Sequence, residues 1–163
     1  MKTLLIVWHS QTGGTRQMAA ATAEGARAAG GVRVVSRHAS AAGADDLLAA
    51  DGLVFATPEN LAAISGALKD FFDRTYYAAL DRLDGRPYAL LVCAGSDGAN
   101  AVRQLERIAT GWRLKAIAEP VLVCTGAQTP EQILAPKQLA PAALARCRDL
   151  GEAFATGLAL GVF

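Results

Sequence analysis

Five short apolar runs alternate with longer amphipathic stretches along this chain, and that alternation does most to limit the folds open to it. Residues 4–8, 32–36, 52–57, 88–93 and 120–124 are each too short for a stable helix and are bounded by polar, glycine or proline residues, so each reads as a strand. Between them the period changes to that of a helix. Residues 15–29 place Met18, Ala21, Gly25 and Ala28 on one side and Arg16, Gln17, Glu24 and Arg27 on the other, and Gly30 and Gly31 end the run. A short helix is expected over 45–50. Ser65 is placed to cap a long helix whose buried face carries Leu68, Phe71, Phe72, Thr75 and Ala79. One of Tyr76 and Tyr77, at the end of that helix, is expected to face the core. Asp84, Gly85 and Pro87 mark a turn. Ala101, Leu105, Ile108 and Trp112 line the next helix, and Leu144, Cys147, Phe154 and Leu158 line a last one starting near Pro141. Strand and helix in strict alternation predict an α/β fold, a parallel sheet covered by helices on both faces.

Residues 1–163 read as a single domain, with no repeat, no low-complexity stretch and no linker. A formal net charge of +1 supplies no field to attract nucleic acid or an anionic membrane, so neither is expected as a partner. Cys93, Cys124 and Cys147 are odd in number and widely spaced, which excludes a disulfide framework or a C-x-x-C zinc site. The apolar run after Met1-Lys2-Thr3 is too short for a signal-peptide core. With unpaired cysteines, this predicts a cytoplasmic protein.

A parallel sheet of this kind binds ligands beyond the carboxyl ends of its strands. The first such loop is Ser10-Gln11-Thr12-Gly13-Gly14-Thr15. It offers three hydroxyls, two glycines that allow close backbone approach, and the free N–H groups of a helix start, which together suit a phosphate. It has neither the lysine-bearing G-x-x-x-x-G-K-[ST] loop nor G-x-G-x-x-G. Arg16 either neutralises a bound phosphate or points into water. His9 is either a participant in proton transfer or a loop histidine. A Ser-His-Asp hydrolase is excluded by the lack of G-x-S-x-G, and a phospho-receiver by the lack of an acidic cluster and of an aspartate after the third strand.

The loop resembles the phosphate loop of flavodoxins, [ST]-x-T-G-x-T, through Ser10, Thr12, Gly13 and Thr15. The stretch 57–74 resembles the NAD(P)H-dependent FMN reductase and quinone reductase branch of the flavodoxin-like superfamily. It has the Thr57-Pro58 start and the S-G-x-L-K-x-F-x-D-R pattern from Ser65 to Arg74. The resemblance implies a flavodoxin-like three-layer sandwich with a five-stranded parallel sheet in the order 2-1-3-4-5. It implies FMN as cofactor, with Ser10 to Thr15 on the phosphate. Pro58, Glu59, Asn60, Leu61 and Ala62 would lie along the flavin edge, and Ala94, Gly95, Ser96, Asp97 and Gly98 on the opposite wall. Asp97 either bonds the flavin or caps the following helix. Relatives often carry aromatics where this chain has Asn60 and Leu61, which predicts weaker ring stacking.

The resemblance implies an FMN-dependent oxidoreductase taking electrons from NAD(P)H to a quinone or similar small acceptor, acting as a dimer or tetramer. No side chain is singled out as a catalytic acid or base, and no metal is expected. The alternatives are a flavodoxin-type electron carrier, and a binding module of the same fold with weak or no FMN binding.

Overall fold

The computed structural model describes residues 1–163. The chain runs β1 (Lys2–Trp8), α1 (Gly14–Ala29), β2 (Val32–His38), α2 (Ala44–Ala49), β3 (Gly52–Asn60), β4 (Ala63–Ile64), α3 (Gly66–Ala79), β5 (Pro87–Ala94), α4 (Ala99–Gly111), β6 (Lys115–Ala116), β7 (Val121–Cys124), α5 (Pro130–Leu134) and α6 (Pro141–Leu160). β1 lies parallel between β2 and β3, and β3 pairs in parallel with β5. The fifth place is shared, for β6 pairs with Pro87 and Tyr88 while β7 pairs with Leu91 to Ala94. The expected order of five places holds with this division. Pro120, which has no N–H to give a ladder, stands just before β7.

Alternate residues of the strands feed two cores, as the period of a strand requires. Leu4, Ile6, Val54, Ala56, Ala89 and Leu91 face α1 and α6. Leu5, Val7, Leu53, Phe55, Leu90 and Val92 face the layer of α2, α3 and α4. In that second core Phe55, Phe71, Phe72 and Trp112 meet at centroid distances of 5.0 to 6.5 Å. Well-oriented ring pairs of this kind add about 0.5–1.5 kcal/mol each beyond area burial.

The face expected for α3 is the one it buries, and Ser65 caps it by accepting the Leu68 N–H at 3.4 Å. Four expectations need correction. Ala28 is exposed, because α1 turns its Ala26 face to α6 instead. Ile108 and Leu144 are only partly buried, at the margins of their stripes. Tyr76 and Tyr77 are both exposed and lean on each other at 5.1 Å, so neither enters the core. The third strand does not stop at Thr57 but continues to Asn60 and folds back as β4.

Candidate functional site

The turn from β1 into α1 is built to leave donors free. Gly13 takes φ +95°, a left-handed conformation that a side chain resists, and its N–H donates to Ser10 Oγ at 3.1 Å. α1 begins at Gly14 and its first internal partner is the Gln17 N–H on the Gly13 carbonyl, so the N–H groups of Gly14, Thr15 and Arg16 have no protein acceptor. Those of Gln11 and Thr12 have none either. The Thr15 side chain, 1% exposed, carries an Oγ1 with no hydrogen-bond partner. Buried hydroxyls are seldom left so, and this one sits among the open amides of a helix start. A Cβ on Gly14 would come to 2.5 Å from Cys93 Sγ, so only glycine lets the turn seat so closely against β5.

The loop borders a small cleft. It brings together Ser10, Gln11, Thr12, Gly14 and Thr15 from the first loop, Pro58, Glu59 and Asn60 from the end of β3, and Ala94 and Gly95 from the end of β5. Gly13 borders a neighbouring depression. Leu61, Ala62, Ser96, Asp97 and Gly98 do not line the cleft. The Asp97 carboxylate accepts the Ala99 N–H at 3.2 Å, the helix-start role. Gly98 is buried at φ +82° as the N-cap of α4.

Residues 58–62 form a hairpin end rather than an open loop. Leu61 and Ala62 make its turn at φ 49° and 61°, and Leu61 stands wholly in solvent. Two left-handed non-glycine residues in succession are costly and persist only where neighbours hold them. Here α4 does so, with Asn100 Nδ2 donating to the Ala62 carbonyl at 2.5 Å and Gln104 Oε1 accepting the Ile64 N–H at 2.9 Å. Below the turn, the Thr57 hydroxyl accepts the Ser65 N–H at 3.0 Å. The amides of Leu61 and Ala62 have no protein acceptor.

The segment between β7 and α6 supplies lining that sequence reasoning missed: Thr125, Ala127, Ile133 and Lys137. It is strapped to the first loop. The Lys137 N–H donates to the Thr12 carbonyl at 2.8 Å, and the Gln17 amide donates to the Lys137 carbonyl at 2.7 Å while accepting the Leu139 N–H at 3.2 Å. The Lys137 ammonium is spent on the carbonyls of Gln132, Ile133 and Ala135, which holds α5 against the strap. No local pattern marks these residues; only a polar glutamine early in α1 hints at a partner. Cys93 also lines the cleft, and burial pushes its thiol up to about 11, as it does for Cys147. Both thiols are therefore un-ionised near neutrality and poor nucleophiles. No group of His, Cys, Asp and Glu is arranged to hold a metal ion.

A parallel sheet covered by helices on both faces, with a glycine-bearing turn of unpartnered amides leaving its first strand, is the arrangement of the flavodoxin-like class of α/β proteins. The sequence profile of the NADPH-dependent FMN reductase family matches residues 33–128, more than half of the chain, and the chain belongs to that family. It is 35% identical to a flavodoxin of Aquifex aeolicus (strain VF5) over 59% of this chain and 50% of that protein. It is 34% identical to an NAD(P)H dehydrogenase (quinone) of Acidithiobacillus ferrooxidans over 46% of this chain and 48% of that one. The match thus spans about half the length of these curated relatives. Among solved structures, a flavodoxin from the domain Archaea superposes with a TM-score of 0.78 at 18% identity, covering 96% of this chain and 98% of the other. No helix is long and apolar enough to cross a membrane.

Proposed function

We propose that the chain is an FMN-dependent oxidoreductase that takes hydride from NAD(P)H and delivers electrons to a quinone or similar small acceptor. The observation that carries this reading is the set of unpartnered donors at the start of α1: the amides of Gln11, Thr12, Gly14, Thr15 and Arg16 and the buried Thr15 hydroxyl. They fit the 5′-phosphate of FMN, since an anion there would satisfy groups that nothing else satisfies. FMN, when bound, supplies the redox chemistry itself.

The chain's own residues bind and orient. Ser10 Oγ fixes the turn by accepting the Gly13 N–H, and the remaining amides are left without protein acceptors. The free amides at Leu61 and Ala62 are donors available to a flavin edge, and α4 stiffens the hairpin that presents them. Glu59 Oε2 is buried in the cleft wall without a partner and is the acceptor available to a ligand N–H or hydroxyl. The strap from Thr125 to Leu139 supplies the outer wall of the cleft. No side chain is assigned as a general acid or base, because hydride transfer depends on positioning. As in the sequence expectation, the domain is taken as one unit, acting as a homo-oligomer in the cytoplasm.

Titration with FMN tests the reading. Stoichiometric binding that turns the protein yellow, followed by anaerobic bleaching with NADPH and recolouring with a quinone, is the expected result. A protein that takes up no FMN at micromolar concentration overturns it. Bound FMN that ignores both nicotinamides would leave the carrier role instead.

A further inference from the structure

The cradle has a second depression beside it. Ser10, Gln11 and Thr12 form a wall common to both, and Trp8, Gly13, Arg16, His38, Leu134 and Pro136 complete the second. It is open to solvent. The Arg16 side chain is exposed and makes no ion pair or hydrogen bond, as is also the case for Arg27, Arg82, Arg107 and Arg146, so it is its place on the wall of the depression that sets it apart. No carboxylate lines the depression. Trp8 and His38 meet edge to face at 5.1 Å and form an aromatic floor, half-buried, where β1 and β2 end side by side. Leu134 is an exposed apolar group across from them.

We infer that this depression is a nucleotide site, taking the adenosine-phosphate end of the nicotinamide dinucleotide with its base against Trp8 and Leu134 and a phosphate on Arg16. A free guanidinium is suited to phosphate, which it grips by two parallel N–H donors. An aromatic ring with an apolar group opposite accepts a base by stacking, whatever the base's hydrogen-bonding edge. The common wall brings the dinucleotide next to the cleft where FMN is proposed, so the inference rests on that reading for the identity of its ligand but on different residues for its site. Arg16 contributes only its backbone amide to the cradle.

Adenosine 2′,5′-bisphosphate, adenosine and inorganic phosphate are the probes, titrated against the intact chain with and without FMN by calorimetry and by tryptophan fluorescence. Trp8 is half-exposed while Trp112 is buried, so a bound base is expected to quench the Trp8 emission. The bisphosphate should bind more tightly than adenosine or phosphate alone. Arg16→Ala and Trp8→Leu should each weaken it about tenfold or more, with Arg16→Lys intermediate. FMN affinity, measured on Trp8→Leu, which lies outside the cradle, should stay within about threefold of the parent. Equal bisphosphate affinity in parent and Arg16→Ala overturns the site, as does no binding to a chain that has taken up FMN. Bisphosphate binding that Arg16→Ala abolishes, in a chain that refuses FMN, keeps the site and discards the flavin reading. Phosphate binding as tightly as the bisphosphate removes the adenosine assignment.

Discussion

At the scale of single residues, Thr15 separates function from stability. Its hydroxyl is buried without a partner, so the folded chain gains nothing from it in the absence of a ligand. Thr15→Val keeps the shape and removes the unsatisfied group. It should leave the melting temperature unchanged or raised, and weaken FMN about tenfold, the value of one hydrogen bond to a charged acceptor. Parallel thermal melts and flavin titrations check this. His9 offers a pH test. Burial, and then the nearby His38, hold its imidazole below the ordinary value, and its Nδ1 has no partner. Below about pH 6.5 the unfolded chain therefore binds a proton that the folded chain resists. Stability should decline as pH falls from that value toward the lowered one. His9→Gln should flatten this decline in urea titrations between pH 5 and 7.

At the scale of elements, Arg86 shows how a side chain closes a helix from outside. Its guanidinium donates to the carbonyls of Leu47, Leu48 and Ala50 at 2.9, 3.1 and 2.6 Å, satisfying the last turn of α2. Arg86→Met leaves these carbonyls to water and should cost about 1.5–3 kcal/mol, read as a lower urea midpoint at constant slope. The helices proved legible where period and cap agreed. α3 combines a Ser65 cap with five apolar or small residues at helical spacing, and both lie where the pattern puts them. β4 and β6, two residues each, were not legible, because strands so short exist only through the partner beside them. The same cause hid half of the site's wall. Ser10 to Thr15 announce themselves by composition, whereas Thr125, Ala127, Ile133 and Lys137 reach the cleft through a connection whose course depends on α1 and α6. α5 carries a reciprocal cap between Thr129 and Gln132, a signal present in the sequence but attached to only five residues.

At the scale of the whole molecule, the back layer is a pair of helices in backbone contact. Gly25 of α1 faces the Arg148 carbonyl and Gly151 of α6 faces the Thr22 carbonyl, each so near that a Cβ would overlap it. Gly25→Ala must separate α1 from α6, and overpacking of this kind costs about 1–3 kcal/mol. Because α1 also carries the cradle at its N-terminus, the same variant should bind FMN less tightly. Chemical denaturation and flavin titration together would show the two losses moving as one. Loss of stability with unchanged flavin affinity would mean that the two ends of α1 are mechanically independent.

The strap around Lys137 joins groups 120 residues apart in the chain, as the bond from Gln17 to Lys137 shows. A ribosome emits β1 and the cradle turn early, yet that turn lacks its outer wall until residue 139 has emerged and α6 has begun to dock. Contacts of such long range are late and slow to form. A phosphate proposed for that turn would thus meet its complete wall only after residue 139 has been made.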